Sequence, residues 1–287
     1  MKFHTRTECF SLHIGMFFVC RGSSMAFTMM SPFVSSYASF THGYKAGGIN
    51  LDTTAAVGGA DPTFLSEEVD AYEVGVKTTS WNGRLRTSTS LFYNDYEDYQ
   101  ASVNNPIIGG QLVPGAVFAN AGKAHTYGAE FSSQVKPTRA LELAATISYL
   151  KTRFDEYLNP TGNANTNYEG YDLPNSPRLS GSLGATYTIA LDNGAEIALN
   201  GNYRFEDESY SEVSTNREIT KTPAQKYLDL GAFYTTGSGK WTFSLTGKNV
   251  LGEDYAFPGS YTPTLGFRNV IWNRERQVSL GVRYDFF

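Results

Sequence analysis

Two acidic clusters are the first residues in this chain whose types and spacing could do chemistry. Asp95, Glu97 and Asp98 lie close together, and residues 206–208 form the continuous run Glu-Asp-Glu. Carboxylate oxygens are the ligands that Ca²⁺ prefers, so either cluster could bind this ion. Both clusters lie where a strand-like pattern gives way to a polar stretch. This position is typical of solvated loop charges, and the sequence favours that interpretation over a metal site.

Histidines are too few and too scattered to indicate a catalytic or metal centre. His4 and His13 lie near the N-terminus, while His42 and His125 are far apart in the sequence. No Ser-His-Asp arrangement and no metal-ligand spacing emerges. The sequence therefore predicts a protein that is not an enzyme and that has no catalytic residues, metal ligands or cofactor. An enzyme whose acids and histidine assemble at the rim of a barrel is the alternative.

Tyrosines in polar stretches, and charges within strand-like stretches, are the other candidates for binding. The tyrosines could stack on an aromatic chelate or a sugar, or they could pack the loops. They are Tyr168, Tyr171, Tyr210, Tyr255 and Tyr261. If the strand-like stretches close into a barrel, these charges are expected to pair across the barrel wall or to touch a segment inside the barrel. They are Lys77, Glu130, Glu142, Arg204 and Arg283.

Strands must position all of these residues. In the last and clearest one, Val278, Leu280, Val282 and Tyr284 alternate with polar or small residues. About ten segments from residue 35 onward have this period of two, and none has a period of 3.6. Short turns such as residues 81–83 alternate with long polar connections near residues 46–66, 97–115, 155–177, 207–222 and 252–275.

Composition narrows the class of protein further. The net charge of −5 argues against a nucleic-acid partner. The mean hydropathy of −0.31, without any run of about 18 apolar residues, argues against membrane-spanning helices.

Short turns on one side of the strands and long loops on the other indicate an antiparallel transmembrane β-barrel. A soluble β-sandwich or propeller, which also alternates, is the competing fold.

Five motifs resemble segments of TonB-dependent outer-membrane receptors, in that family's order. They lie at residues 37–50 (YASFTHGYKAGGIN), 73–77 (EVGVK), 120–130 (NAGK…YGAE), 247–251 (GKNVL) and 281–286 (GVRYDF). The resemblance implies that residues 35–287 are the last ten or so strands of a 22-stranded barrel. It leaves residues 1–34 unassigned, with a composition that fits a misplaced start better than a signal peptide.

The resemblance also implies a function. It indicates a fragment of a receptor, in the outer membrane of a Gram-negative cell, for the TonB-dependent uptake of a scarce ligand such as a ferric siderophore. Expected partners are outer-membrane lipid and the barrel-assembly machinery, with the TonB complex reached only through a plug absent from the matched residues. No nucleic acid is expected. The alternative is a small, self-contained passive β-barrel pore.

The C-terminal strand is the one place where the sequence predicts individual functional residues. Barrels of this family end in an aromatic residue that is preceded by apolar residues at every second position. The residues that fit this barrel-assembly signature are Val278, Leu280, Val282, Tyr284, Phe286 and the additional Phe287.

Overall fold

Twelve strands of the chain form one antiparallel sheet in which each strand pairs with the next along the sequence. The computed structural model describes residues 16–21, 24–50, 63–104, 107–108, 111–112, 116–157, 167–214, 216–262 and 267–286. The strands are β1 (Met16–Arg21), β2 (Ser24–Met30), β3 (Val34–Lys45), β4 (Glu67–Ser80), β5 (Leu85–Glu97), β6 (Ala124–Val135), β7 (Leu141–Phe154), β8 (Leu179–Ala190), β9 (Glu196–Glu206), β10 (Gln225–Thr235), β11 (Trp241–Lys248) and β12 (Gln277–Tyr284).

Five long connections leave the sheet at one end, and we call them L1 (46–66), L2 (98–123), L3 (155–178), L4 (207–224) and L5 (249–276). They carry short paired strands and one helical turn. The pairs are Gly48–Ile49 with Thr63–Phe64, Gln100–Asn104 with Ala116–Asn120, Ile107–Ile108 with Gln111–Leu112, Ser209–Tyr210 with Lys221–Thr222, and Ala256–Thr262 with Phe267–Trp272. The helical turn α1 spans Arg217–Thr220. In the described part of the chain, no helix is long and apolar enough to cross a membrane.

The all-β, antiparallel architecture confirms the fold class that the sequence predicts. The ten predicted strands are present, and β1 and β2 add two more that precede residue 35. The boundary after residue 34, between an unassigned segment and the barrel region, stays a prediction. Because β1 and β2 precede this boundary, they are the strands on which it can be tested. Within the described residues β1 and β12 do not pair, so the sheet is open.

The two faces of the sheet have opposite character, because neighbouring strands pair residues of the same kind. On the apolar face Tyr72 pairs with Tyr93, and Leu245 pairs with Leu280. On the polar face Ser90 pairs with Glu130. The side chains of the apolar face are exposed, with Leu280 at 84%. An exposed apolar face is the arrangement of a membrane-facing wall, and a soluble sandwich would bury it.

Aromatic rings mark both ends of the apolar face. Near the loops, the Tyr72 ring lies 5.0 Å from that of Phe40 and 6.5 Å from that of Tyr93. Near the short turns, the Trp241 ring lies 4.6 Å from that of Tyr284. Such rings suit the two membrane–water interfaces, because each combines an apolar body with a polar tip.

In the described part of the chain, the buried hydrophobic cluster lies among the loops rather than within the sheet. It consists of Ala101, Ala121, Ala124, Phe154, Tyr157 and Leu173. Phe154, the last residue of β7, has no exposed surface. The loops therefore contain the packed interior of this molecule, while the strands form a two-sided wall.

Candidate functional site

The described parts of the five loops form one connected structure above the wall, and we call it the loop cap. L1 and L2 are joined by Gln100, whose side-chain nitrogen donates hydrogen bonds to the carbonyl oxygens of Ala46 (3.0 Å) and Leu65 (2.9 Å). The Asn50 side chain donates to the Phe118 carbonyl at 2.8 Å and accepts from the Phe118 amide at 2.9 Å. These bonds fix the two loops to each other through backbone groups.

A chain of perpendicular aromatic rings joins L2 to L3. The Phe154 ring lies 5.3 Å from that of Tyr99 and 5.1 Å from that of Tyr157, and the Tyr157 ring lies 4.9 Å from that of Tyr168. Edge-to-face contacts of this kind are favourable. Burial raises the pKa of Tyr99 to about 12 and raises the pKa of Tyr157 as well, so both phenols are neutral at physiological pH.

Arg217 joins L3 to L4. Its guanidinium carbon lies 3.9 Å from the ring centre of Tyr210 and 5.1 Å from that of Tyr171, which places the cation between two aromatic faces. A guanidinium nitrogen lies 3.6 Å from a carboxylate oxygen of Asp172. The amide of Asn175 also donates a 2.7 Å bond to the carbonyl of Tyr210.

Two further contacts complete the loop cap by holding L5. Arg268 donates to the carbonyl oxygens of Glu218 (3.2 Å) and Ile219 (3.3 Å) on α1. The Tyr255 hydroxyl accepts a 2.8 Å bond from the Lys226 amide at the start of β10. All five loops are therefore connected in series, from each loop to the next.

The base of L5 is organised by Asn249, which is 4% exposed and has a positive φ of 48°. Its amide donates to Asp229 at 2.9 Å. Its side-chain nitrogen donates to the carbonyls of Glu253 (2.8 Å) and Arg274 (3.2 Å). Asparagine tolerates this left-handed conformation better than most residues, which explains why it can stand directly after β11.

The tyrosines expected in loops are engaged within the loop cap. Tyr168 and Tyr171 pack against the buried cluster, and Tyr210 stacks on Arg217. The ring of Tyr255 lies 5.5 Å from that of Tyr227, and burial raises the pKa of Tyr255. The Tyr261 side chain lies outside the described residues. Of the two roles that the sequence leaves open, these contacts match loop packing.

The acidic clusters form ion pairs at the rim of the sheet. Glu97 accepts a 3.0 Å contact from Lys123, and Glu208 accepts one of 2.8 Å from Lys221. Hydrogen bonding to these carboxylates raises the pKa of each lysine. Among the described residues, no group of three or more His, Cys, Asp and Glu could hold a metal ion.

All five charges predicted to face the lumen lie on the polar face, but they do not pair with one another. Glu142 pairs with Lys136 at 2.9 Å, Arg204 with Asp229 at 3.1 Å, and Arg283 with Asp285 at 3.1 Å. Glu130 is exposed beside Ser90 and Ser148. The partner of Arg204 lies on the next strand and follows from register, whereas Lys136 lies in the turn before β7 and Asp285 is two residues along the chain from Arg283.

Lys77 belongs to a unit centred on Tyr37, a residue that the sequence showed only as the first position of the 37–50 motif. The Tyr37 hydroxyl donates a short hydrogen bond to Glu73, and the Lys77 ammonium lies 5.7 Å from the ring centre. The ring lies over Gly75, where a Cβ atom would collide with it. Any larger residue at position 75 would displace the ring.

The exposed apolar face, the polar face and the loop cap are the features of an outer-membrane barrel wall, and the sequence matches a family with that architecture. The model of the TonB-dependent receptor-like β-barrel family matches residues 26–250. The chain belongs to this TonB-dependent receptor family.

Solved structures of TonB-dependent receptors share the fold. The ferric yersiniabactin uptake receptor of Yersinia pestis aligns with 92% of this chain and 37% of its own, at 18% identity and a TM-score of 0.71. The ferric preacinetobactin receptor of Acinetobacter baumannii aligns with 92% and 36%, at 21% identity and a TM-score of 0.66. The ferric-catecholate import receptor of Escherichia coli aligns with 91% and 34%, at 15% identity and a TM-score of 0.64.

This chain therefore spans about a third of the length of those receptors, and its open sheet is a part of a TonB-dependent receptor barrel. Barrels of this family are outer-membrane proteins of Gram-negative bacteria, and the predicted location is confirmed. The family consists of transporters rather than enzymes.

The structure gives physical roles to the receptor motifs. In 73–77, Glu73, Gly75 and Lys77 surround the Tyr37 ring. In 120–130, Asn120 donates hydrogen bonds to the carbonyls of Leu65 (3.1 Å) and Asp98 (2.8 Å). These motif residues stabilise the wall and the base of the loop cap.

The described residues of the predicted barrel-assembly signature lie on β12 and directly after it, at an open edge of the described sheet. The residues of this signature that lie on the apolar face are exposed, namely Val278, Leu280, Val282 and, just beyond β12, Phe286. The Tyr284 ring contacts those of Trp241 (4.6 Å) and Phe286 (4.8 Å). Phe287 lies outside the described residues. A role of these residues in barrel assembly stays a prediction.

Proposed function

We propose that this chain is the ligand-gathering part of a TonB-dependent outer-membrane receptor for a ferric chelate. The observation that carries the proposal is the continuous loop cap, which is packed and hydrogen-bonded above a wall with one apolar and one polar face. A pre-organised surface of this kind reduces the ordering that a ligand must impose when it binds. Solved receptors with this fold, such as those for yersiniabactin and preacinetobactin, are named for ferric siderophores.

The remaining partners belong to the same proposal. Outer-membrane lipid would contact the apolar face, and the barrel-assembly machinery would recognise the C-terminal signature. Coupling to the TonB complex would require a plug. The protein would bind and pass its ligand without catalysing a reaction. Residues 35–287 would form the barrel region, and residues 1–34 stay unassigned.

A self-contained passive pore gains no support from the described residues, because β1 and β12 do not pair and the edges of the sheet are open. Unpaired backbone groups in lipid cost several kcal/mol each. A pore would therefore require these edges to be covered.

Ligand binding and conductance distinguish the two functions. The full chain is expressed in a Gram-negative host, and outer-membrane vesicles are titrated with radiolabelled ferric chelates. Saturable binding, lost when Phe154→Ala loosens the loop cap, is the expected result. Conductance in a planar bilayer without saturable binding would overturn the proposal and favour the pore.

A further inference from the structure

A polar hollow at the base of L5 carries free positive charge. It has a volume of about 390 Å³ and is open to the polar face of the sheet. Residues from β9, β10, β11 and the end of L5 line it, and those used here are Arg204, Tyr227, Asp229, Lys248, Asn273, Arg274 and Glu275. Its volume lies within the range of about 300–1,000 Å³ that small-molecule sites occupy.

The ion pairs of the hollow leave two cations available. Both carboxylate oxygens of Asp229 are occupied, one by Arg204 at 3.1 Å and the other by the amide of Asn249 at 2.9 Å. Among the described residues, neither Lys248 nor Arg274 has an acidic partner within 4.0 Å. Glu275 is the one lining acid, in this part of the structure, that is not held in an ion pair.

The backbone that carries these cations is held firmly. The Arg274 carbonyl accepts from the side chain of Asn249 at 3.2 Å, and the Asn273 side chain donates to the Glu253 carbonyl at 2.8 Å. Lys248 is the last residue of β11 and lies opposite Gln277 of β12 in the register. Both cations are thus mounted on fixed backbone.

One wall of the hollow offers an aromatic surface. The Tyr227 ring lies 5.7 Å from the guanidinium carbon of Arg204 and is half-buried. A second hollow of about 410 Å³ shares Asp229 and Lys248 and extends along the wall toward Asn200 and Thr186. A ligand leaving the first hollow would therefore meet the neutral side chains of Asn200 and Thr186 and the carboxylate of Glu142.

From this arrangement we infer that Lys248 and Arg274 form an anion-binding subsite, which selects ferric chelates of net negative charge over neutral ones. The inference rests on the proposed function and narrows its ligand class. An anionic chelate would approach the two free cations, while its planar groups would lie against Tyr227. Since the hollow is open to water, salt would weaken the attraction.

The experiment compares two hexadentate iron chelates on the full chain folded in detergent. One is a tris-catecholate of net negative charge, and the other is a neutral tris-hydroxamate. Affinity is measured with radiolabelled iron and by quenching of Trp272, which is 65% exposed and adjacent to Asn273. Lys248→Ala/Arg274→Ala is expected to weaken catecholate binding at least about tenfold, because hydrogen bonds to charged groups contribute that much.

Matched variants separate charge from folding. Lys240→Ala/Arg283→Ala removes the same charge at the short-turn end and is expected to leave both affinities unchanged. Lys248→Arg/Arg274→Lys is expected to retain catecholate binding, and Glu275→Gln is expected to strengthen it. Circular dichroism and heat-dependent gel mobility verify that each variant folds.

The outcomes of this experiment test the anion-binding subsite separately from the proposed receptor function. If the wild-type chain binds both chelates equally and the double variant changes neither affinity, the subsite is overturned while the receptor stands. If the wild-type chain binds neither chelate, the proposed function itself fails. A loss of hydroxamate binding equal to the loss of catecholate binding would show general disruption and would also overturn the subsite.

Discussion

The two ends of the sheet are built differently from the same strands. At the short-turn end, residues 81–83 reverse the chain with Trp81 and Asn82 at φ 52° and Gly83 at φ 82°, and the side chains of Trp81 and Asn82 are exposed. At the loop end, Asn249 adopts a similar φ of 48° but is buried and bonded. One end only reverses the chain, while the other builds a packed surface. Stability and specificity should therefore depend on position along the strands more than on residue type.

Truncating a phenylalanine at each end should give the largest contrast. Phe154→Ala removes a ring without exposed surface from the loop cap and should cost about 3–5 kcal/mol of local stability. Phe243→Ala lies on the apolar face, where its ring is 45% exposed, and should change little. Limited proteolysis of L2 and L3 in detergent measures the difference. Equal protection of L2 and L3 from proteolysis in the two variants would contradict the difference between the two ends of the sheet.

The same Asn→Gly substitution should change stability differently at positions 249 and 82, although both residues have a similar positive φ. Asn249→Gly loses three side-chain hydrogen bonds and should cost about 2 kcal/mol, whereas Asn82→Gly should lie within about 0.5 kcal/mol of the wild type. Glycine adopts a positive φ readily, so backbone strain contributes to neither value. Denaturant titration followed by Trp fluorescence provides both numbers. A cost at position 82 as large as that at position 249 would contradict the comparison.

High pH should loosen the loop cap while leaving the wall intact. The pKa of Tyr99 is about 12 in the folded protein and about 10 in an unfolded chain, so the folded state holds this proton more tightly. The resulting stability is complete below pH 10 and is lost as the pH rises from 10 to 12, by about 2 kcal/mol. Hydrogen exchange of loop amides can be compared with circular dichroism of the strands. Tyr99→Phe/Tyr157→Phe should remove this pH dependence, and an unchanged dependence would contradict the assignment.

Changing an arginine at each end should give the smallest contrast. Arg217→Lys keeps the charge but loses planar stacking on Tyr171 and Tyr210, at a cost of about 1 kcal/mol. Arg283→Lys, whose side chain is 70% exposed at the short-turn end, should cost almost nothing. Faster hydrogen exchange at residues 167–175 in the first variant is the measure. Faster exchange in the second would show that the substitution acts globally.

The wall could be predicted from the sequence because a period of two specifies both faces of a strand. Tyr72, Leu91 and Phe243 all lie on the face that alternation assigns to them. The prediction of ten strands missed β1 and β2, because residues 16–30 form a Met- and Phe-rich stretch without clear alternation. Register, by contrast, had to be observed, since it decides that Arg204 pairs with Asp229 rather than with Glu130 or Glu142.

The loop cap could not be predicted, because its contacts join residues that are distant in the sequence. Asn50 and Phe118 are 68 residues apart, and no local pattern connects them. The tyrosine composition of the loops was visible, but whether a ring packs inside or faces a ligand depends on its neighbours. In the sequence, Asn249 was visible only as one letter of the 247–251 motif. The hydrogen bonds of its buried side chain explain why asparagine occupies this position.

The serial connection of the loops has an evolutionary consequence. Each loop is joined chiefly to the loop before it and the loop after it, as Arg217 joins L4 to L3 and Arg268 joins L5 to L4. Replacing one loop therefore requires new complementary residues at only two borders, while the rest of the loop cap keeps its contacts. A lineage could exchange its recognition surface piece by piece, with each intermediate still folded.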